Sequence, residues 1–192
     1  MGDAVARQLD IFGKGHELYG NATIGVAANP WHLYAYGFRR AAEILLNYVE
    51  ERHTSLDVIV FPTVFLLRHH LELAIKFVAR DARLILGDPP STKPEHRLQA
   101  LWVETKRLVI RVLGVEPIGM EPIDVVVAQF DAIDSRSTTC RYPETFAGTD
   151  PLADVSNINL LTLRDSVEPA FDMLDAAYET MHMRLFADAE AG

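Results

Sequence analysis

The chain alternates between segments whose apolar residues recur at helical spacing and short segments rich in Pro, Gly and small polar residues. Apolar residues three and four positions apart indicate amphipathic helices. The pattern predicts five of them, over residues 30–53, 62–85, 94–113, 122–134 and 164–187. Only residues 125–127 have strand-like propensity, and the acidic and amide spacing around them favours a helix.

Residues with special backbone preferences mark the ends of these helices. Asn29 is a natural N-cap, and Pro30 fits the first helical position, where no N–H is needed. Pro62 either starts the second helix or kinks it. Gly114 is placed to end the third helix, and Asp165 to cap the last. These signals favour helices of ordinary length joined by short connections.

The predicted fold is therefore an all-α, single-domain helical bundle of about five helices. We expect an N-terminal arm over residues 1–28, the bundle over 29–187 and a short tail over 188–192. A long polar loop over residues 135–156 precedes the last helix, and loops of this length are often functional. The length of 192 residues suits one domain with a sizeable core.

Charge and cysteine content narrow the functional classes. With 18 basic and 27 acidic residues the net charge is −9, which argues against a general electrostatic grip on nucleic acid but allows a local basic face. The single Cys140 excludes an intrachain disulfide and fits a reducing compartment. No signal pattern or apolar stretch of about 18 residues is evident, so we expect a soluble cytoplasmic protein with no membrane partner.

The stretch "FLLRHHLELAIK", residues 65–76, places four titratable side chains in one apolar helix. On a helical wheel His70 falls within the apolar arc, which predicts a buried imidazole satisfied by a carbonyl or carboxylate. His69 points the other way. Arg68 and Glu72 form an i,i+4 pair at the border between the faces, either a structural ion pair or the rim of a cleft.

The loop sequence "DSRSTTCRYPE" also concentrates polar chemistry. Hydroxyls beside arginines can hold an anion together with backbone N–H groups. The alternative is a capped helix end, in which Asp134 and Ser137 bond the backbone and Arg141 pairs with an acidic neighbour. In the first interpretation Arg141 helps to hold the anion.

The segments "YGFRRAAEIL", "FPTVFLLRHHLELAIK", "EHRLQALW" and "DAIDSRSTTCRYPE" resemble those of a group of bacterial helical proteins and, more distantly, the HEPN superfamily of small α-helical bundles. The resemblance covers roughly residues 34–145. It implies a homodimer that binds or cleaves RNA or a nucleotide without a metal or other cofactor, in a stress or defence context, or a non-catalytic module that binds a partner protein. The family's catalytic Arg, followed by His after four to six residues, has no counterpart in this chain.

A ribonuclease site would therefore have to be assembled in space. A His would move the 2′-hydroxyl proton while an Arg holds the phosphate, with Glu72 orienting an imidazole. The candidate catalytic residues are Arg68, His69, His70, Glu72 and Arg141. The candidate ligand-binding residues are Asp134, Ser137, Tyr142 and His96.

A di-metal carboxylate bundle is one alternative. Ferritin-like sites use Glu-x-x-His on two helices, and the chain has this spacing at Glu50/His53 and at Glu179/His182. Glu72 would supply a third carboxylate. Solvated helix ends explain the same spacing, and we assign no metal ligand.

Two further alternatives rest on single features. Cys140 beside Arg141 is a candidate nucleophile if its pKa is lowered. Trp31, Trp102 and Phe65, with the broad apolar arcs, could instead build a dimer face or receive a partner helix, although such residues more often form a core.

Overall fold

The computed structural model describes residues 18–25, 30–51, 55–91 and 95–190. By its internal contacts the chain divides into residues 1–30 and residues 31–192. The described part of the first unit contains one turn of 3-10 helix, Leu18–Gly20. The rest of the predicted N-terminal arm, including the cap residue Asn29, lies outside the described residues.

Five α-helices form the fold, and the prediction of an all-α bundle is confirmed. No strand is present in the described ranges. The helices are α1 Pro30–Glu50, α2 Leu56–Leu86, α3 Leu98–Leu113, α4 Glu121–Asp134 and α5 Leu160–Glu190. The C-terminal tail predicted from residue 188 is therefore helical as far as Glu190.

The core is organised around α2. This helix packs against α3 and α5, and α4 closes the bundle by packing against the same two helices. Buried apolar residues recur along α2, as the wheel predicted, and the largest buried side chain is Trp102 of α3. Trp102 therefore belongs to the core and not to an interface. Its indole N–H donates to Asp124 Oδ1 on α4 at 2.6 Å, which satisfies the one polar atom that burial would otherwise strand.

α2 is also the one helix in the described part of the chain that is long and apolar enough to cross a membrane. An 18-residue window has a mean hydropathy of 1.5, so the expectation that no stretch qualifies was wrong. Half of that window is buried inside the bundle, as in the core helix of a soluble protein.

Pro62 neither starts nor ends α2, which begins at Leu56 and continues through the proline. Ser55 is the residue before the helix, but its side chain makes no capping hydrogen bond. Pro62 has no N–H to give to the helical ladder. One residue later the Thr63 hydroxyl donates to the Ile59 carbonyl at 2.7 Å, which adds a side-chain hydrogen bond to the helix next to the proline.

Two other helix starts differ from prediction. α3 begins at Leu98, because Glu95 accepts the N–H groups of His96 and Arg97 at 2.9 and 2.7 Å and holds them outside the helix. α5 begins at Leu160, where the side chain of Asn159 accepts the Thr162 N–H at 2.9 Å. Pro30 and Gly114, with a φ of 74°, occupy the predicted first and capping positions.

Arg39 of α1 pairs with three carboxylates of α5. Arg39, with 15% of its side chain exposed, lies 2.8 Å from Asp175 and also pairs with Glu168 and Asp172. Its guanidinium carbon is 5.4 Å from the centre of the Phe171 ring. Burial opposes the charge of Arg39, but the surrounding carboxylates outweigh that effect and raise its pKa.

Candidate functional site

Arg68 of α2 is fully buried and bonds to its own helix, to the last residue of α4 and to a residue just before α3. Its Nε donates to the Asp134 carbonyl at 2.8 Å, one Nη donates to Glu72 Oε2 at 2.9 Å and the other to the His96 carbonyl at 2.9 Å. The prediction that Arg68 lies at the border of two helix faces was wrong, because its side chain is 0% exposed. Each of its three nitrogens has an acceptor and the side chain is fully buried, so Arg68 positions other groups and does not face a cleft.

Glu72 completes this buried network. Its second oxygen, Oε1, accepts from Lys76 Nζ at 2.6 Å and faces His96 Nδ1 at 3.0 Å. A carboxylate only accepts, so His96 Nδ1 carries the proton. Burial by itself would raise the pKa of Glu72, but the hydrogen bonds from Lys76 and Arg68 outweigh it and lower that pKa. Glu72 does hold an imidazole, that of His96, which is 60% exposed on the surface.

Asp134 connects Arg68 to the polar loop. Its Oδ1 accepts the N–H groups of Thr138 and Thr139 at 2.7 and 3.1 Å, and its Oδ2 lies 3.7 Å from Arg68 Nε. Ser137, which is buried, has a φ of 59°, a conformation that few non-glycine residues adopt. The Asp134 side chain therefore bonds the backbone at the start of the loop, as the capped-end interpretation described, whereas Ser137 contributes its carbonyl, which accepts from Arg141 Nε.

His70 is buried as predicted. Its Nδ1 lies 2.9 Å from the Ala35 carbonyl, and its ring meets Phe171 edge-on at 4.4 Å. Burial lowers the pKa of His70 to about 4, and the nearby Arg39 charge acts in the same direction. The imidazole is therefore neutral at pH 7. Its Nε2 is buried and has no hydrogen-bond partner among the described residues.

His69 and Arg141 meet at the ring of Phe65. The His69 ring stacks on Phe65 with 5.5 Å between centres, and Phe38 of α1 contacts its edge at 4.4 Å. The Arg141 guanidinium carbon is 5.6 Å from the centre of the Phe65 ring and 5.7 Å from that of Tyr142. Two candidates that are 72 positions apart in sequence are thus brought to one aromatic surface.

The electrostatics of this aromatic surface follow from its burial. His69 is half-buried, and desolvation lowers its pKa. The Glu72 charge acts in the opposite direction, but the charges of Arg68, Lys76 and Arg141 add to the lowering. Arg141 is exposed and, among the described residues, pairs with no carboxylate; its Nε donates instead to the Ser137 carbonyl. The predicted alternative of an acidic partner for Arg141 is therefore wrong. The site combines a neutral imidazole with a guanidinium that is free to bind an anion.

A cleft of about 640 Å³ opens beside this surface, between the first turns of α2 and the loop. Its walls are mainly apolar, with Arg141 as the only cation and Asp57 and Asp150 as anions among the described lining residues. The apolar and aromatic lining residues are Leu56, Val60, Phe61, Tyr142, Pro143, Pro151, Leu152, Val155 and Ile158. A planar, mostly uncharged group fits such walls better than a polyanion.

Cys140 lies in the wall of the cleft but is a poor nucleophile. Burial, followed by the nearby Asp134 charge, raises the pKa of its thiol to about 11. A thiol with that pKa stays protonated at pH 7, and the thiolate is the reactive form. The interpretation of Cys140 as a nucleophile therefore has no support from its surroundings.

The di-metal alternative also finds no support in the described ranges, which contain no group of three or more His, Cys, Asp or Glu side chains that could hold a metal ion. Glu50 pairs with Arg164 at 3.0 Å, and Glu72 belongs to the Arg68 network. His53 lies outside the described residues. His182 contacts the rings of Tyr178 and Phe186.

No protein-family model, curated protein or solved structure matches this chain. The resemblance to HEPN proteins therefore stays an expectation. Sequence reasoning gave no role in this site to Phe65, although its position four residues before His69 on a helix was a readable signal. Phe38 gave no such signal, because only the packing of α1 brings it to His69.

Proposed function

We propose that this protein binds RNA or a nucleotide at the surface formed by Phe65, Arg141 and Tyr142, of which Arg141 and Tyr142 also line the cleft. The observation that carries the proposal is the exposed Arg141 guanidinium lying against two aromatic rings at the cleft mouth. A guanidinium binds phosphate through its planar fork, and an exposed aromatic ring stacks on a base. Tyr142 is 57% exposed, which makes its ring accessible for such stacking.

The proposed ligand is short and single-stranded. The chain carries a net charge of −9, and the cleft has one cation, so a long duplex would find few phosphate contacts. Stacking on aromatic side chains and one phosphate contact suit an unpaired nucleotide or a few linked ones. We place this activity in the cytoplasm, in a stress or defence role.

Cleavage of the bound RNA would require a base beside the phosphate, and we assign this role to His69, whose ring stacks on the same Phe65 ring that Arg141 contacts. Desolvation lowers the pKa of His69, so its neutral form can accept the 2′-hydroxyl proton at pH 7. Arg141 would stabilise the charge that develops on the phosphate. His70 takes no part, because it is buried and does not line the cleft.

The test is binding of a fluorescent single-stranded RNA of about twelve nucleotides, measured by anisotropy in EDTA. We expect Arg141→Gln and Tyr142→Ala each to weaken binding about tenfold or more, since stacking is worth about 1–3 kcal/mol per base. Arg136→Gln is the matched control, because Arg136 is exposed in the same loop but does not line the cleft. We expect it to change binding less than about threefold.

The same samples separate binding from catalysis. RNA cleavage in EDTA that His69→Asn abolishes without weakening binding would establish a ribonuclease that needs no metal. Intact RNA with the expected binding losses would establish a binding protein. Absence of binding by folded wild-type protein, or equal losses in the Arg136 and Arg141 variants, would refute the proposal.

A second candidate function is association between protein chains. Exposed apolar side chains follow one side of α1, where Leu33, Ile44 and Tyr48 are 49%, 46% and 52% exposed. Their spacing of eleven and four residues places them on one helical face. We propose that this face pairs with the same face of a second copy, as the expected homodimer requires.

A further inference from the structure

A second cavity lies between α1, α2 and α5, away from the cleft and the loop. Its volume is about 260 Å³, which suits a small group and not a nucleotide. Its lining includes His70 and Phe77 of α2, Tyr178, Asp175 and Glu179 of α5, and His32 of α1. None of these residues lines the cleft proposed to bind RNA.

The buried wall of the cavity contains a hydrogen-bond acceptor without a donor. His70 is 3% exposed, and its Nδ1 must carry the proton because it faces the Ala35 carbonyl, which only accepts. Nε2 therefore presents a lone pair in the neutral ring. No described group donates to it. A buried polar atom of this kind costs free energy unless a partner is supplied, and here the partner must be an N–H or O–H donor.

The mouth of the cavity carries excess negative charge. Asp175 and Glu179 line the cavity, and among its described lining residues the only permanent cation is Arg39. Arg39 donates to Asp175 at 2.8 Å, but it is shared with three further carboxylates, Glu43, Glu168 and Asp172. Burial raises the pKa of Asp175, and the neighbouring Asp172 and Glu179 charges add to this despite Arg39. The carboxylates are thus undercompensated, and a cation entering the cavity would balance them.

Aromatic rings form the remaining walls. The Phe77 and Tyr178 rings lie 4.4 Å apart, and the His32 ring lies 5.2 Å from Tyr178. Aromatic faces attract cations and also bury an apolar stem. The His70 acceptor, the carboxylates and the aromatic walls together favour a ligand with a positive charge and N–H donors.

We propose that this cavity binds a primary ammonium group on a short apolar stem, with His70 Nε2 accepting one N–H and Asp175 facing the positive charge. The ammonium comes either from a free alkylamine or from a lysine side chain of a partner. A quaternary ammonium has the charge but no N–H, so the His70 acceptor discriminates against it. The site is independent of RNA binding.

The test is calorimetric titration of the full chain with three probes: n-butylamine, Nα-acetyl-lysine N-methylamide and butyltrimethylammonium. We expect at least one primary amine to bind with a Kd in the millimolar range or below, and the quaternary probe at least about tenfold more weakly. Binding of butylamine alone identifies a small amine as the ligand, and stronger binding of the lysine derivative identifies a side chain.

Variants with matched effects on folding assign the contacts. Asp175→Asn and Asp172→Asn each remove an α5 carboxylate that pairs with Arg39, but only Asp175 lines the cavity. We expect Asp175→Asn to weaken amine binding at least about fivefold and Asp172→Asn less than about twofold. His70→Asn can still donate to the Ala35 carbonyl but is too short to place an acceptor where Nε2 lies, so we expect it to abolish the preference for primary amines.

Three results would overturn the proposal. The first is that neither amine binds the folded wild-type protein with a Kd below about 10 mM. The second is that the quaternary probe binds as tightly as the primary amines, and the third is that the Asp172 and Asp175 variants lose the same amount of affinity. Because the RNA assay uses other residues, a failure here leaves the Arg141 and Tyr142 results unaffected, and the two proposals can be refuted separately.

Discussion

At the scale of single residues, neighbouring titratable side chains on α2 have different roles because they face different surroundings. His70 is enclosed by α1 and α5, and Arg68 by α3 and α4, whereas His69 is half-buried between two phenylalanine rings. The direction in which each side chain leaves the helix determines its surroundings. Of the three, only His69 lies at the surface that includes Arg141.

The pKa of His70 predicts how stability depends on pH. Because burial lowers the folded-state pKa to about 4 from an ordinary value near 6.5, the unfolded chain binds more protons between those pH values. This contribution to stability is complete above about pH 6.5 and is lost as the pH falls towards 4, for a total of about 3 kcal/mol. The nearby charges of Arg39, which lowers the pKa, and Glu43, which raises it, are included in that value.

His70→Asn removes this titration while keeping a donor for the Ala35 carbonyl. We expect the difference in free energy of unfolding between wild type and variant, measured by urea denaturation, to shrink or reverse as the pH falls from 7 to 4. Other carboxylates titrate equally in both proteins and cancel in the difference. A difference that stays constant over this range would show that His70 does not have a lowered pKa.

At the scale of elements, Arg68 connects α2 to the end of α4 and to the residues before α3. Two of its three acceptors are backbone carbonyls, so Arg68 holds the backbone in position at the end of α4 and before α3. Asp134 then passes this constraint to the loop that bears Arg141. The buried pair with Glu72 is best understood as a positioning device, because buried ion pairs add little net stability but are costly to break.

Arg68→Met should lower the free energy of unfolding by about 3–5 kcal/mol, because it leaves the buried Glu72 and two carbonyls without their donor. Arg40→Met is the matched control. Arg40 pairs with Glu43 at 3.0 Å, but 55% of its side chain is exposed, so we expect a loss below about 1 kcal/mol. Both free energies of unfolding would be measured by chemical denaturation. Equal losses would mean that the buried network does not hold the elements together.

At the scale of the whole molecule, apolar surface is unevenly distributed. The core lies around α2, yet the outer side of α1 and the first turns of α2 carry exposed apolar side chains, among them Val58 at 70% and Phe61 at 46%. Scattered exposed apolar residues are normal, whereas those aligned on one helix indicate an interaction surface. This distribution supports the proposed contact between two copies through α1.

Light scattering after size exclusion tests that contact. We expect twice the mass of one chain for the wild type and one chain's mass for Ile44→Glu, because a buried unpaired carboxylate opposes association. Val125→Glu is the control, since Val125 is 53% exposed on α4. A monomeric wild type at about 100 µM, or dissociation by both substitutions, would contradict the α1 interface.

The sequence predicted the site only in part, for reasons that particular residues make clear. The burial of His70 followed from the wheel, because its position lies inside the apolar arc of α2. The burial of Arg68 did not follow, since the partners that make it tolerable are carbonyls of His96 and Asp134, 28 and 66 residues away. Helical periodicity reports which face is apolar but not which distant carbonyl can satisfy a buried guanidinium.

The sequence by itself determined the fold class, the number of helices and most of their ends, because apolar periodicity, prolines and capping residues act locally. Tertiary structure alone decided that His69 and Arg141 share the Phe65 ring, and that His70 lines a cavity with Asp175. Those contacts join residues far apart in the chain through helix packing. They depend on the relative placement of helices, which no local pattern encodes.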